Sequence, residues 1–238
     1  MMSDDTSNDY TTQLRAQQFA ELTGGTHRGA LLVVDVQRDF GDPAHLPDIG
    51  DTAVAAIAAA VDGVERSVEL ARASGVPVIW IELRVRPDDP WASSNWFRGI
   101  APGDPWPNEY EPCVDETPGA DWYQVSPGDG EIVVSKRTYD GFFNTDLDAI
   151  LREQGITWVT VVGLTSDCCV NTTAGSAFSR GYATVVLSDA SAAYDPAAHE
   201  EAMHILSLHS AVVSEVDEIA TVWSAAAESA NPTGTVAS

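Results

Sequence analysis

Reactive side chains follow three predicted strands of this 238-residue chain. Asp35 closes the apolar run "LLVVD", Lys136 follows "EIVVS", and the adjacent Cys168 and Cys169 of "GLTSDCCV" open a predicted helix. An acid, an ammonium and a thiol are the proton carrier, charge stabiliser and nucleophile that acyl transfer through a thioester requires. We expect the helix start and the ammonium to lower the pKa of the thiol. The residues alone leave open which cysteine reacts.

Lys136 is the only lysine, and every other fixed positive side chain in the sequence is an arginine. An ammonium is a compact charge that enters a narrow pocket, and its pKa responds to burial. A guanidinium is a wide planar group that stays charged. The lone lysine is therefore a candidate for a role that arginine cannot fill.

The elements that must hold these residues alternate as in an α/β protein. Continuous apolar runs favour strands buried on both faces of a parallel sheet, and alanine-rich periodic segments favour helices. We predict a three-layer, doubly wound α/β fold with about six mainly parallel strands and helices on both faces. The carboxyl ends of such strands share one edge, where ligands bind. The predicted strands are 30–36, 76–85, 131–135, 157–163, 182–188 and 211–214, and the predicted helices are 51–75, 144–154, 169–180, 196–209 and 216–227.

The chain divides into an arm, one domain and a tail. Residues 1–25 predict a polar, frayed N-terminal arm, residues 26–228 a single domain, and residues 229–238 a flexible tail. The stretch 87–130 is rich in Pro, Gly, Asp and Trp. A loop of this length inside a domain is functional or contains short elements.

Composition restricts the class of function. A net charge of −24 argues against nucleic acid and against an anionic membrane surface as partners. No apolar window approaches a membrane span, and no apolar leader opens the sequence. Three cysteines, two of them adjacent, are typical of free thiols in a reducing compartment. We therefore expect a cytoplasmic protein acting on a small molecule.

Four blocks together resemble the isochorismatase-like cysteine hydrolases. They are "LLVVDVQRDF", "VSKRTYDGFFNTDLDAILREQGI", "WVTVVGLTSDCCVNTTAGSAFSRGY" and "ATVVLSDAS", and the resemblance runs in order from about residue 29 to 215. It implies a catalytic triad of Asp35, Lys136 and Cys169, the cysteine directly before the Val of "CCV". It also implies a cis bond between Leu164 and Thr165, with the N–H groups of Thr165 and Cys169 forming an oxyanion hole.

Within that family, the block "RTYDGFFNTDLDAILREQGI" is most similar to the branch of ureidoacrylate hydrolases, biuret hydrolases and N-carbamoylsarcosine amidohydrolases. This resemblance implies hydrolysis of a C–N bond in a small linear carbamoyl substrate. Nicotinamidases of the family carry histidine metal ligands in the loop after the second strand, and residues 85–130 contain no histidine. We expect no metal and no cofactor. A nicotinamidase or maleamate amidase specificity stays an alternative.

Several side chains are candidates for the substrate pocket: Gln37, Phe40, Trp91, Arg137, Tyr139, Phe143 and Asn144. Arg137, or alternatively Arg84, Arg86 or Arg98, would bind a substrate carboxylate in a bidentate manner.

Two other readings stay open. One is a non-catalytic oligomeric binding module, because Trp91, Trp96, Trp106 and Trp122 in the long loop suit an interface. The other is redox sensing by the adjacent cysteines, although a disulfide between neighbours is strained. The family resemblance also implies a homodimer or homotetramer, because members of the family are commonly dimers or tetramers.

Overall fold

Six parallel strands form one sheet with the order β3-β2-β1-β4-β5-β6. The computed structural model describes residues 4–23, 27–89, 91–101 and 111–230. The strands are β1 Gly29–Val34, β2 Val78–Leu83, β3 Ile132–Lys136, β4 Trp158–Leu164, β5 Ala183–Ala192 and β6 Val212–Ser214. The helices are α1 Asp4–Leu22, α2 Arg38–Gly41, α3 Asp51–Ala73, α4 Ala92–Phe97, α5 Leu147–Glu153, α6 Asn171–Ser179, α7 Pro196–His209 and α8 Val216–Ala230.

The central strands are buried on both faces. Ala30 to Val34 of β1 have no exposed surface, and every residue of β2 and β4 is buried. Side chains alternate between the faces of a strand, so both faces must be covered by helices. The continuous apolar runs of the sequence have this physical cause.

Helices cover the two faces in separate groups. The apolar sides of α1, α3 and α8 pack with Leu31, Val33 and Trp158 in one core. Those of α5, α6 and α7 pack with Leu32 and Val34 in the other. Each fully buried aliphatic side chain stabilises the folded state by roughly 1.5–3 kcal/mol relative to the same side chain left exposed. The predicted three-layer, doubly wound fold is confirmed.

The helix α3 shows how the pattern determines packing. Its apolar residues recur every three or four positions, as in Ile57, Val61, Val64 and Val68, and these face the sheet. The helix ends where Gly75 has a φ of 68°. That left-handed conformation lets the Gly75 N–H bond the Arg72 carbonyl oxygen at 3.2 Å, and glycine adopts it without a steric penalty.

The N-terminal segment differs from expectation. The N-terminal arm was expected to be frayed, but Asp4–Leu22 is a helix, and Phe19 and Leu22 are buried in the core. Two apolar side chains near its C-terminal end hold this polar helix on the domain. The division into arm, domain and tail stays a prediction, and residues 231–238 lie outside the described range.

The long loop contains short elements. They are α4, a 3₁₀ turn at Pro118–Ala120, and bridges that join Val85 to Val114 and Gln37 to Trp122. Trp106 lies outside the described residues. Among the described helices, none is long and apolar enough to span a bilayer.

The strand order places a crevice between β1 and β4. From β1 the chain winds through β2 to β3, and it then crosses to β4 on the other side of β1. Ligands of doubly wound sheets bind beyond the carboxyl ends of the strands at such a switch point. Gly163 lies beside β1 here, with a φ of 120°, and a Cβ atom would fall 2.0 Å from the Val34 carbonyl oxygen.

Candidate active site

Asp35 lies directly after β1, at the carboxyl edge of the sheet. Its side chain is completely buried. Its φ of 51° is left-handed, a conformation that aspartate tolerates better than most residues but that costs on the order of 1 kcal/mol. The Asp35 N–H donates to the Ile81 carbonyl oxygen at 2.8 Å, which fixes the backbone of this turn. Strain of this kind is concentrated at functional sites.

Lys136 is the last residue of β3 and is turned inward by strand alternation. Val134 and Lys136 are buried, whereas Val133 and Ser135 are exposed. The Lys136 ammonium lies 2.6 Å from Oδ2 of Asp35, and both side chains have no exposed surface. It also donates to the Thr138 carbonyl oxygen at 2.9 Å. The lone lysine is therefore enclosed and paired.

Cys168 and Cys169 occupy a single π-helical turn, Ser166–Val170, between β4 and α6. The Thr165 carbonyl oxygen accepts from the N–H groups of Cys168, at 3.2 Å, and Val170, at 3.1 Å. The bond between Leu164 and Thr165 is cis. The Lys136 ammonium contacts Sγ of Cys169 at 3.4 Å, so Asp35, Lys136 and Cys169 converge at one place.

Burial and the contacts within the cluster shift the pKa of each of the three groups. Burial raises the pKa of Asp35 above that of an ordinary aspartate, against the opposing effect of the Lys136 ammonium. Burial alone would lower the pKa of Lys136, but Asp35 and Cys169 outweigh it, and the net pKa is raised. Lys136 thus stays a cation.

The thiol pKa values differ from expectation. Interaction with Cys168, burial and the Asp35 carboxylate raise the pKa of Cys169 well above that of a free thiol. The same interaction lowers the pKa of Cys168. The expected lowering by the ammonium is present at Cys169 but is outweighed by these other contributions. Asp35 is the carboxylate in contact with the same ammonium.

A cavity of about 530 Å³ opens above these groups. Thr165, Cys168 and Cys169 are among the residues that line it. Most of its remaining wall is aromatic or apolar: Phe40, Leu83, Val85, Trp91, Phe97, Pro112, Tyr139 and Tyr194. The volume is that of a site for a small molecule.

The predicted pocket residues are only partly found there. Phe40, Trp91, Arg137 and Tyr139 line the cavity, whereas Gln37, Phe143 and Asn144 do not. The Gln37 amide is buried and occupied by backbone, donating to the carbonyls of Leu83 at 3.0 Å and Ala120 at 2.8 Å. These hydrogen bonds connect the loop that contains Ala120 to strand β2.

Phe143 and Asn144 are exposed. The ring of Phe143 packs edge-on against the Trp91 ring at 5.7 Å, so it supports the wall of the cavity from outside. Asn144 adopts a left-handed turn with a φ of 53°.

The four candidate arginines are each paired with an acid. Arg98 pairs with Glu111 and Arg137 with Asp89, and both arginines line the cavity. The other two do not line it: Arg84 pairs with Glu82 at 2.7 Å, and Arg86 with Asp88 at 3.3 Å.

Three features were missed from the sequence. The Thr138 carbonyl holds the ammonium, and its position two residues after Lys136 was a usable signal. Tyr194 follows β5 at the same sheet edge, and its hydroxyl donates to the Asp39 carbonyl oxygen at 3.2 Å. Nδ1 of His199 lies 2.9 Å from Oγ of buried Ser166, in the turn that carries the cysteines, and no sequence signal pointed to this pair.

The histidines do not assemble a metal site in the described part of the chain. There, no three His, Cys, Asp or Glu side chains are arranged to hold a metal ion. The expectation of metal-independent chemistry stays a prediction.

A doubly wound sheet with a buried Asp–Lys–Cys cluster at its switch point defines a class of hydrolase, and comparison with known proteins agrees. The Isochorismatase domain profile matches residues 29–218. The chain belongs to the isochorismatase family. The predicted resemblance is therefore confirmed.

Individual relatives narrow the class. The chain is 32% identical over 169 residues to the ureidoacrylate amidohydrolase RutB of Methylobacterium radiotolerans, a match that covers 67% of this chain and 65% of that protein. It is 32% identical to RutB of Yersinia enterocolitica, over 69% of this chain and 75% of that protein. N-carbamoylsarcosine amidase of Thermoplasma acidophilum superposes with a TM-score of 0.62 at 28% identity, covering 80% of this chain and 97% of the other. The prediction of an amidohydrolase is confirmed at this level of class.

Proposed function

We propose that the protein is a cysteine hydrolase that cleaves a C–N bond of a small carbamoyl compound through a thioester on Cys169. One observation carries this proposal: a buried ammonium contacts both Asp35, at 2.6 Å, and the Cys169 sulfur, at 3.4 Å, beside a cavity. The names of the relatives point to ureidoacrylate and N-carbamoylsarcosine as substrates of those proteins.

Acylation begins with the thiol proton. Asp35 accepts it while the Cys169 sulfur attacks the substrate carbonyl carbon, and Lys136 stabilises the negative charge as it passes from the Asp35 carboxylate to the sulfur. The carbonyl oxygen becomes an oxyanion, for which the N–H groups of Thr165 and Cys169 are the proposed donors. When the oxyanion collapses the C–N bond breaks, and Asp35 returns its proton to the departing nitrogen.

In deacylation, water takes the place of the thiol as the nucleophile. Asp35 takes a proton from water, the hydroxide oxygen bonds to the thioester carbon, and the C–S bond breaks. The proton returns to the sulfur, which restores the resting thiol. The net reaction consumes one water and releases ammonia or an amine.

Ammonia release from a substrate panel tests the proposal. The panel contains biuret, ureidoacrylate, carbamoyl amino acids, nicotinamide and maleamate. We expect turnover of at least one ureide and loss of that turnover in Cys169→Ala. Turnover of nicotinamide or maleamate alone would assign the amidase alternative, and turnover retained in Cys169→Ala would refute the thioester mechanism.

We further propose a cytoplasmic location and a homodimer or homotetramer. The location is supported by three free cysteines, one of them partly exposed. Self-association is supported by large apolar side chains on the surfaces of α6 and α7, where Phe178, Ile205 and Leu208 are each more than half exposed. Sedimentation equilibrium measures the mass directly, and a monomer across the micromolar range would contradict the second proposal.

A further inference from the structure

The positive charges at the cavity are already matched by acids. Arg98 and Arg137 are the arginines that line it within the described chain, and they pair with Glu111 and Asp89. Lys136 does not line the cavity but contacts the lining residue Cys169, and its ammonium pairs with Asp35. The lining therefore presents no uncompensated cation to a substrate.

Glu111 lies in the cavity wall itself. Its side chain is 4% exposed, and its carboxylate faces Arg98. A substrate carboxylate that reached this guanidinium would also meet the buried carboxylate of Glu111, and like charges at short range in a weakly screened site repel. Asp89 acts in the same way on Arg137, although its side chain is 60% exposed and its charge is better screened.

The rest of the wall suits an uncharged ligand. Phe40, Trp91, Phe97, Tyr139 and Tyr194 supply aromatic surface that covers a flat or apolar group without binding a charge. The net charge of −24 also repels anions as they approach, because the field of the whole protein acts on the encounter rate.

We propose that the pocket selects uncharged ureides or amides with a flat or apolar flank and disfavours carboxylates, with Glu111 and Asp89 as specificity-determining residues. This rests on the function proposed above and makes it narrower. A ureide of biuret type fits the inference, whereas an anionic ureido acid does not. The substrate class would then differ from the ureidoacrylate named for the curated relatives.

The test compares propylurea with 3-ureidopropionate, which differ in a methyl group against a carboxylate. Calorimetry measures the binding of each to the Cys169→Ala protein, and ammonia release measures kcat/KM of the parent enzyme. We expect propylurea to be preferred at least about tenfold in binding. Equal binding, preference for the acid or binding of neither would overturn the inference.

Variants assign the cause. Glu111→Gln should free the charge of Arg98 and shift the preference toward 3-ureidopropionate at least about tenfold. Asp89→Asn, at an exposed position, frees Arg137 and should shift the preference in the same direction. It keeps the inference testable if Glu111→Gln does not fold. Asp217→Asn is the matched control, because it removes an acid from an exposed arginine pair with Arg66 outside the cavity, and it should leave the preference unchanged. A preference that moves in neither pocket variant, or moves equally in the control, would overturn the role of the two acids.

The proposed function and the proposed selection against carboxylates can be refuted independently. If Cys169-dependent ammonia release is absent from every ureide and amide while propylurea still binds preferentially, the proposed function fails and the charge selection stands. If release depends on Cys169 but 3-ureidopropionate is the better substrate, the function stands and the selection fails.

Discussion

Substitution of Lys136 by arginine keeps the charge and changes only its shape. At 2.6 Å and an effective dielectric of ~20, the pair with Asp35 is worth roughly 6 kcal/mol before desolvation is subtracted. The ammonium also makes contacts of 2.9 Å to the Thr138 oxygen and 3.4 Å to the Cys169 sulfur. A wide guanidinium cannot reproduce all three contacts in a site with no exposed surface, and it binds a carboxylate through two parallel hydrogen bonds.

We expect Lys136→Arg to lower kcat at least about 10²-fold, equivalent to about 2.7 kcal/mol of lost transition-state stabilisation. Steady-state ammonia release measures kcat, and urea unfolding checks that the variant is folded. Arg152→Lys is the control, because this exposed arginine contacts Asp148, the Tyr182 ring and the Arg180 carbonyl oxygen and does not line the cavity. We expect parental activity from it. A folded Lys136→Arg enzyme within about threefold of the parent would refute the reasoning, because such a ratio corresponds to less than about 1 kcal/mol.

Three further predictions concern the same site. Cys169→Ala should abolish turnover and Cys168→Ala should retain most of it, since the ammonium contacts the sulfur of Cys169; the opposite result in an ammonia assay would assign the nucleophile to Cys168. Because burial raises the pKa of Asp35, its carboxylate takes up a proton at a higher pH than an ordinary aspartate does. The acid limb of the kcat/KM profile should therefore lie above the pKa of an ordinary aspartate, and activity undiminished down to that pH would contradict the role of Asp35 as a base. Finally, dialysis against EDTA should leave turnover intact, and a loss that a divalent ion restores would reveal a metal requirement.

The parallel sheet could be predicted from the sequence, because strands that are buried on both faces are continuous apolar runs. The runs that contain Leu31 to Val34 and Trp158 to Leu164 are apolar at every position but one, and such runs have few other structural explanations. Because the carboxyl ends of parallel strands share one edge of the sheet, Asp35 and Lys136 are predicted to lie at that edge, and the structure places them there.

Side-chain partners were not predictable, because they depend on contacts distant in sequence. Gln37 is a predicted pocket residue, yet its amide donates to the backbone carbonyls of Leu83 and Ala120. The pairing of Arg98 with Glu111 joins two parts of an irregular loop, whose sequence has no hydrophobic periodicity from which contacts could be predicted. The raised pKa of Cys169 likewise results from the interaction with Cys168, from burial and from the Asp35 carboxylate, none of which is visible in the position of Cys169 at a helix start.

The most direct test of the thioester mechanism is mass spectrometry of the enzyme quenched with acid during turnover of its best substrate. We expect a mass increase equal to the acyl part of the substrate, located by peptide mapping on Cys169 and absent from Cys169→Ala. An adduct on Cys168, or single-turnover product formation with no adduct in the parent enzyme at any quench time, would contradict it.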